Sequence, residues 1–398
     1  MKKIIVFLLI LTFLITGCTQ KNVPDNTVLS TTTHASIPAT TSSTDEPSEP
    51  VVVLQADMFA VALPCSQSNT TAENGNTVFS QSIQSLQLWM PDPDVANKVI
   101  IDFGAKQDKF IEAADAIKNI ALQNNANGNS EQYFYHALYD HVRMDENILS
   151  LAGAAVQNSG GIHPDYIRIY ANYSMVTGDF LTLGSILTHA DRADDLCQLL
   201  IEAIDNVKAD YGIWDEYEDF IRSRFEGDIS NDSSWYFSSE GLCFSFSPYE
   251  IAPYASGVIS VTIPYEKLTD IIEGEYFPVE RDNASGALVG QLLNEENAML
   301  YPQTSEIVLS ENGTMILLST DSAIYDVCIE VGRWDYGVYD ASYVALFRSA
   351  LTPGDAIMLQ ADLPDADSPV RITYRSGDEI KSQFITMSDN TVVFTTEE

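Results

Sequence analysis

Between residues 94 and 124 apolar side chains return at intervals of three, four and seven: Val99, Phe103, Phe110, Ala114, Ile117 and Ala121. That period places them on one face of a helix, with Asp94 positioned to cap its start. The turn-rich "NNANGNSE" ends it. A second helix is predicted over residues 191–209, where Leu196, Leu200, Ala203, Ile204 and Val207 share a face and Cys197 lies beside it. A third, "GIWDEYEDFIRSRFEGD", sets Trp214, Tyr217, Ile221 and Phe225 along one stripe. Its opposite face, Asp215, Glu216, Glu218 and Asp219, reads as a solvated surface.

Elsewhere the pattern shortens to strands. "MFAVALP", "LQLWMP" and residues 132–143, 147–157 and 166–173 read as β, and Thr177-Gly178-Asp179 makes a tight turn into "FLTLGSIL". His136 and His141 differ by five positions, which places them on opposite faces of one strand. Leu242, Phe244 and Phe246 alternate, as do Ile259, Val261 and Ile263, and between them Pro248 and Pro253 frame a loop. Pro264 is placed to open a short helix, "YEKLTDII". Residues 276–300 read as a connector, and from residue 301 seven short apolar runs follow, split by turn residues. The fold class expected is α+β: a mixed strand and helix region followed by a small all-β, sandwich-like C-terminal domain.

The first residues change the picture of where the chain works. Lys2 and Lys3 precede an apolar run over residues 4–15, short of the roughly 20 residues a membrane span needs. The run ends "LITGC", which resembles a bacterial lipobox. Residues 1–17 are then a lipoprotein signal peptide, and Cys18 is the acylated residue that ties the chain to the outer face of a bacterial membrane. "STTTHASIPATTSSTDEPSEP" makes residues 18–56 a disordered Ser/Thr/Pro-rich tether with an end-to-end distance of roughly 30 Å. That reach keeps the folded part within a Gram-positive cell wall. The expected organisation continues with residues 57–275 in two sub-parts, 57–158 and 159–275, then the 276–300 connector and a β domain over 301–398.

Charge narrows the partners. The formal charge is −37, and removing Lys2 and Lys3 with the signal peptide takes it to −39. Phosphate binding needs clustered Lys and Arg, so nucleic acid is excluded; a cationic partner fits, as does a surface kept soluble by self-repulsion. Four cysteines remain beside Cys18, namely Cys65, Cys197, Cys243 and Cys328, without Cys-x-x-Cys spacing. Buried free thiols are the expected state, with one bridge left open outside the cell.

Two segments then carry a resemblance. "SGGIHPDYIRIYANYSMVTGDFLTLGSIL" holds Gly160, Gly161, His163 and Pro164, then Asn172, Thr177 and Gly178. "GLCFSFSPYEIAPYASGVISVTIPYEKL" holds Tyr249, Pro253, Tyr254, Gly257, Pro264 and Tyr265. Together they resemble a family of bacterial extracytoplasmic domains that includes the lysozyme-sensing part of the anti-sigma factor RsiV and the non-catalytic part of the peptidoglycan deacetylase PdaC. The resemblance covers residues 57–275 and implies a non-enzymatic domain whose best candidate partner is lysozyme or another cationic wall-active protein. Where that family often has an aspartate after the Asn-aromatic pair, this chain has Ser174. Its Gly and Pro positions read as structural. Tyr249, Glu250, Pro253 and Tyr254 form the candidate recognition loop, since tyrosine offers a flat apolar face and a polar tip.

No motif for catalysis or for a cofactor accompanies these features: Gly-x-Ser-x-Gly, His-Glu-x-x-His, Walker and dinucleotide patterns do not occur. "DLPDADSP" offers Asp362, Asp365 and Asp367 but neither the glycine nor the distal glutamate of a calcium loop, and reads as an acidic loop. Trp89, Trp214, Trp235 and Trp334 can stack on sugars, although tryptophan on an amphipathic stripe is more often core. Four functions follow: capture of a cationic wall-active protein, binding of cell-wall glycan, an enzyme whose site carries no familiar signature, and a purely structural role.

Overall fold

The computed structural model describes residues 59–72, 75–126, 133–227, 229–231, 234–301, 305–310, 313–335, 338–363, 369–389 and 391–396. The signal peptide, Cys18, the tether, Asp365 and Asp367 lie outside the described residues.

The chain opens with β1 (Ala60–Ala62), β2 (Cys65–Thr71), β3 (Thr77–Gln84) and β4 (Gln87–Trp89), followed by α1 (Pro93–Ala126), β5 (Tyr133–Met144), β6 (Ile148–Asn158) and β7 (Asp165–Ser174). Five strands make one sheet in the order β2-β3-β5-β6-β7. Because β3 and β5 run parallel, their connection has to cross the sheet, and α1 is that crossover. Its expected stripe is buried at Val99, Phe103, Ala114, Ile117 and Ala121, against Phe79, Ile83, Tyr135 and Tyr139 of the strands. The cap is Asp92 rather than Asp94: its Oδ1 accepts the N–H groups of Asp94 at 2.9 Å and Val95 at 3.2 Å. Pro93 takes the first helical position, so the capping side chain has to precede it. Gly104, in the middle of α1, has open space where a Cβ would stand. Gly104→Ala is expected to raise stability by about 0.5–1 kcal/mol, read as a higher urea midpoint.

A bulge corrects the histidine parity. Tyr139 pairs with Gly153 and His141 with Ala152, so Asp140 is the extra residue. His136 and His141 therefore share a face, about 13 Å apart along the strand, which is beyond the reach of one metal ion.

Next come α2 (Ala193–Tyr211), α3 (Tyr217–Phe225), β8 (Trp235–Phe237), β9 (Gly241–Phe246) and β10 (Ile259–Pro264). The last three form an antiparallel sheet, and its alternating residues Phe244, Phe246, Ile259, Val261 and Ile263 close over Leu196, Leu200, Ile204, Ile221 and Phe225. The helical stripe starts later than its apolar spacing implies. Trp214 precedes α3 and is 41% exposed, while its neighbour Ile213 is the buried one. Nor does Pro264 open an α-helix. With ψ at 148° it finishes β10, and only a single 3-10 turn over Tyr265–Lys267 follows.

The remainder is β-rich: β11 (Leu288–Leu293), a one-turn α4 (Glu295–Ala298), β12 (Ser305–Val308), β13 (Thr314–Thr320), β14 (Ile324–Asp335), β15 (Val338–Leu351), β16 (Ile357–Ala361), β17 (Val370–Ser376), β18 (Glu379–Ser388) and β19 (Thr391–Thr395). A four-stranded sheet, β11-β13-β16-β12, faces a seven-stranded one, β19-β18-β17-β14-β15-β1-β4. Ile316, Leu318, Ile357 and Leu359 from the first meet Val327, Ile329, Leu346 and Ile372 from the second. The fold is thus α+β with a β-rich C-terminal region. Ala60–Ala62 pairs with β15 on one side and β4 on the other, so the first strand of the chain lies inside the C-terminal sheet. Gln84 reinforces that join from within, its Nε2 donating to Leu63 and Val344 carbonyls while its Oε1 accepts the Tyr139 N–H.

Candidate functional site

Loop residues 247–257, between β9 and β10, are built from the inside outward. Ile251 and Ala252 are buried and anchor the underside. Tyr249 N–H donates to the Ala252 carbonyl at 3.1 Å, and Glu250 turns back to accept the Ser247 N–H. Tyr249 takes a left-handed φ of 71°, an uncommon conformation for a residue with a Cβ, and its ring ends up 63% exposed. Gly257, at φ 67°, lets the chain turn back into β10.

Both segments singled out by resemblance meet at this loop. The turn between β6 and β7 carries Gly160, at φ 93°, Gly161, His163 and Pro164. The His163 ring stacks on Tyr254 with centroids 4.9 Å apart, and the Tyr254 hydroxyl donates to the Pro164 carbonyl at 3.2 Å. Tyr249 leans on Tyr254 at 5.5 Å. Beside them Ile162 is 96% exposed, and Pro253 is exposed as well. A third segment joins from the link between α2 and α3: Trp214 N–H donates to the Ile251 carbonyl, and the Ser256 hydroxyl donates to the Tyr211 carbonyl. Tyr211 and Trp214 keep exposed rings. The result is an aromatic surface held by three backbone segments. Its nearby cations are engaged: Lys208 pairs with Asp215 at 3.0 Å, and Arg168 with Asp140 through two hydrogen bonds. Asp165, Glu216 and Glu250 leave its margin acidic.

The other motif residues are buried or hold turns. Asn172 Nδ2 donates to the Trp235 carbonyl at 3.0 Å, and its Oδ1 accepts the Ser150 hydroxyl, so it fastens the five-stranded sheet to β8. Gly178, at φ 70°, and Thr177 dock on α1, where Lys98 Nζ donates to the Thr177 carbonyl and to Asp179. Ser174, where the family that the sequence resembles often has aspartate, accepts the N–H groups of Val176 and Thr177, each at 3.3 Å. A carboxylate would make the same turn, so serine keeps the geometry without the charge. Tyr265 is buried, donating to the Ser238 carbonyl and accepting from Arg143.

His141 sits behind this surface against Tyr236, with its Nε2 3.2 Å from the Phe237 carbonyl. Burial pushes its pKa below the ordinary 6.5; Arg168 and Arg143 add to the shift, and the Phe237 carbonyl and Asp140 oppose it. Burial lowers His136 too. Below pH 6.5 the unfolded chain takes up protons that the folded chain refuses. Stability is therefore expected to fall as pH drops below 6.5 and to level off once the folded value is passed. His141→Gln should flatten that slope, measured by urea unfolding at neutral pH and near pH ~5.

Residues 184–266 match the family model described as "Protein of unknown function (DUF3298)". Two solved structures are similar. One is a member of that family from Bacteroides fragilis, 16% identical with a TM-score of 0.40, covering 55% of this chain and 94% of the other. The second is a DUF3298 family protein from Pseudomonas aeruginosa, 17% identical with a TM-score of 0.39, covering 56% of this chain and 99% of the other. No curated protein matches. The matched stretch takes in α2, α3, the β8-β9-β10 sheet and the aromatic loop, and residues 184–266 of this chain are thus a DUF3298 domain.

Proposed function

We propose that this chain is a non-catalytic binding protein of the bacterial cell envelope, anchored by lipid at Cys18, that captures a cationic wall-active protein, with lysozyme as the first candidate. One observation carries the reading: His163 and Tyr254 stack at 4.9 Å, bringing the two family-like motifs together beneath an outward Tyr249. An exposed aromatic cluster with an acidic margin suits a basic partner. Its charge speeds the encounter, and the rings supply the desolvated contact. The negative balance of −37 acts in the same sense. The test is binding of lysozyme to the purified full chain at low salt. Tyr249→Ala is expected to weaken it roughly tenfold, as removal of an interface hot spot does. Unchanged binding by that variant, or none by the native chain, refutes the reading.

Cell-wall glycan is a second reading, favoured by the exposed rings of Tyr211 and Trp214 beside the loop. Sedimentation with purified wall that added salt leaves unaffected would select it over charge-driven protein capture. Turnover of wall fragments by the purified chain would replace both with an enzyme.

A further inference from the structure

A cleft of about 490 Å³ lies where the second half of β5 meets the C-terminal sheet. It is separate from the aromatic loop: no residue of 247–257 lines it. Its walls come from β5, residues 278–283, β14, β15 and the hairpin between β17 and β18. Strand alternation explains why it is there. β14 sends Val327 and Ile329 into the sandwich core, and the opposite parity presents Asp326, Cys328 and Glu330 to the cleft. A register shift between Tyr325 and Cys328, with Asp326 at φ 52°, turns that carboxylate toward Arg375.

The lining has two chemistries. Val142, Met144, Val344 and Phe347 give it an apolar floor. Around them stand seven carboxylates and three arginines. Most of these charges already have partners: Asp145 with Arg143, Asp326 with Arg375, Glu330 with Arg371 and Arg281 with Glu146. The pairs fix the walls, so the cavity stands preformed rather than collapsing around a guest. Glu280 and Asp378, both exposed at the mouth, have no ion pair among the described residues. An apolar floor beneath unpaired carboxylates selects a ligand with an apolar body and a positive head, and the volume falls in the range of small-molecule sites.

We propose that this cleft binds a small organic cation, an amine or amidine carried on an apolar body, with the body on Val142, Met144 and Phe347 and the head at Glu280 and Asp378. The site does not depend on the loop or on its partner.

The test uses the purified full chain with methionine methyls labelled for NMR, the Met144 signal being assigned through Met144→Leu. Phenethylamine is expected to shift the Met144 methyl saturably, while phenethyl alcohol and phenylacetate leave it in place. The Glu280→Gln, Asp378→Asn double variant changes two exposed side chains, so the fold is kept. It is expected to weaken phenethylamine about tenfold, the size of two surface charge contacts. No saturable shift by phenethylamine, an equal shift by the alcohol, or undiminished binding by the double variant would each overturn the proposal.

Discussion

Asp145→Ala is expected to cost the fold about 3–5 kcal/mol, the range seen when one partner of a buried ion pair is removed. The carboxylate does two jobs at once. Its Oδ2 accepts from Arg143 Nε at 3.2 Å and Nη2 at 2.8 Å, and its Oδ1 accepts the N–H groups of Asn147 at 2.9 Å and Ile148 at 3.0 Å. Alanine would leave a guanidinium whose side chain is only 7% exposed without its counter-charge, and two turn amides without an acceptor. The loss should reach beyond the β5–β6 turn. Arg143 also donates to the Tyr265 hydroxyl and to the Tyr276 carbonyl at 3.0 Å, so it links the five-stranded sheet to the chain after β10. Asp145→Ala combined with Arg143→Met should be less damaging than Asp145→Ala alone, since the orphaned charge goes too. Tyr265→Phe removes only a hydroxyl and is expected to cost about 1–2 kcal/mol. Urea unfolding followed by far-UV circular dichroism ranks the three variants. If Asp145→Ala falls within ~0.5 kcal/mol of the native chain, the network is not buried as described.

This network also marks where the sequence stops being readable. Tyr265 stands in a motif with a clear resemblance, yet nothing local tells that its partner is Arg143, 122 positions earlier. Periodicity sees which face is buried and not what it is buried against. It therefore finds α1, α2 and strands β5 to β7, whose apolar positions repeat regularly. It misses the β2–β3 hairpin, because "CSQSNTT" is a polar edge strand with almost no buried residue. It misses β11 in the supposed connector and β18 near the end, where the apolar alternation is broken by Gly290, Gln291 and Gln383. Ala60–Ala62 reads as a strand, but its place between β4 and β15 is decided by hydrogen bonds to residues 346–348. At the candidate site the loop prolines and tyrosines were visible in the sequence, and so was the β6–β7 turn. Their meeting was not, since His163 and Tyr254 are brought together only by the packing of β7 on β8 and β9. Trp214 shows the opposite error: its spacing fits the buried stripe, and one residue of offset at the start of α3 turns it outward.

Gly153→Ala is expected to be as damaging, by about 3 kcal/mol or more, for a steric reason instead of an electrostatic one. A Cβ at this position would stand 2.1 Å from the Leu138 carbonyl oxygen and 2.6 Å from the Tyr139 Cα. Both are backbone atoms of β5, so no side chain can rotate aside. β6 is paired on both flanks, with β5 and with β7, and cannot shift away from one without losing the other. The close approach comes from the bulge that makes Asp140 the extra residue and sets His141 opposite Ala152. Glycine is what lets β5 bend there, and the bend puts Asp140 where it grips Arg168 behind the aromatic loop. The same substitution at Gly104 meets open helix surface and should stabilise. Opposite signs for two Gly→Ala changes in one chain, measured as shifts in the urea midpoint, would establish the register of β5 on β6. A neutral Gly153→Ala would show that the two strands do not approach as described, and the placement of Asp140 and His141 would fall with it.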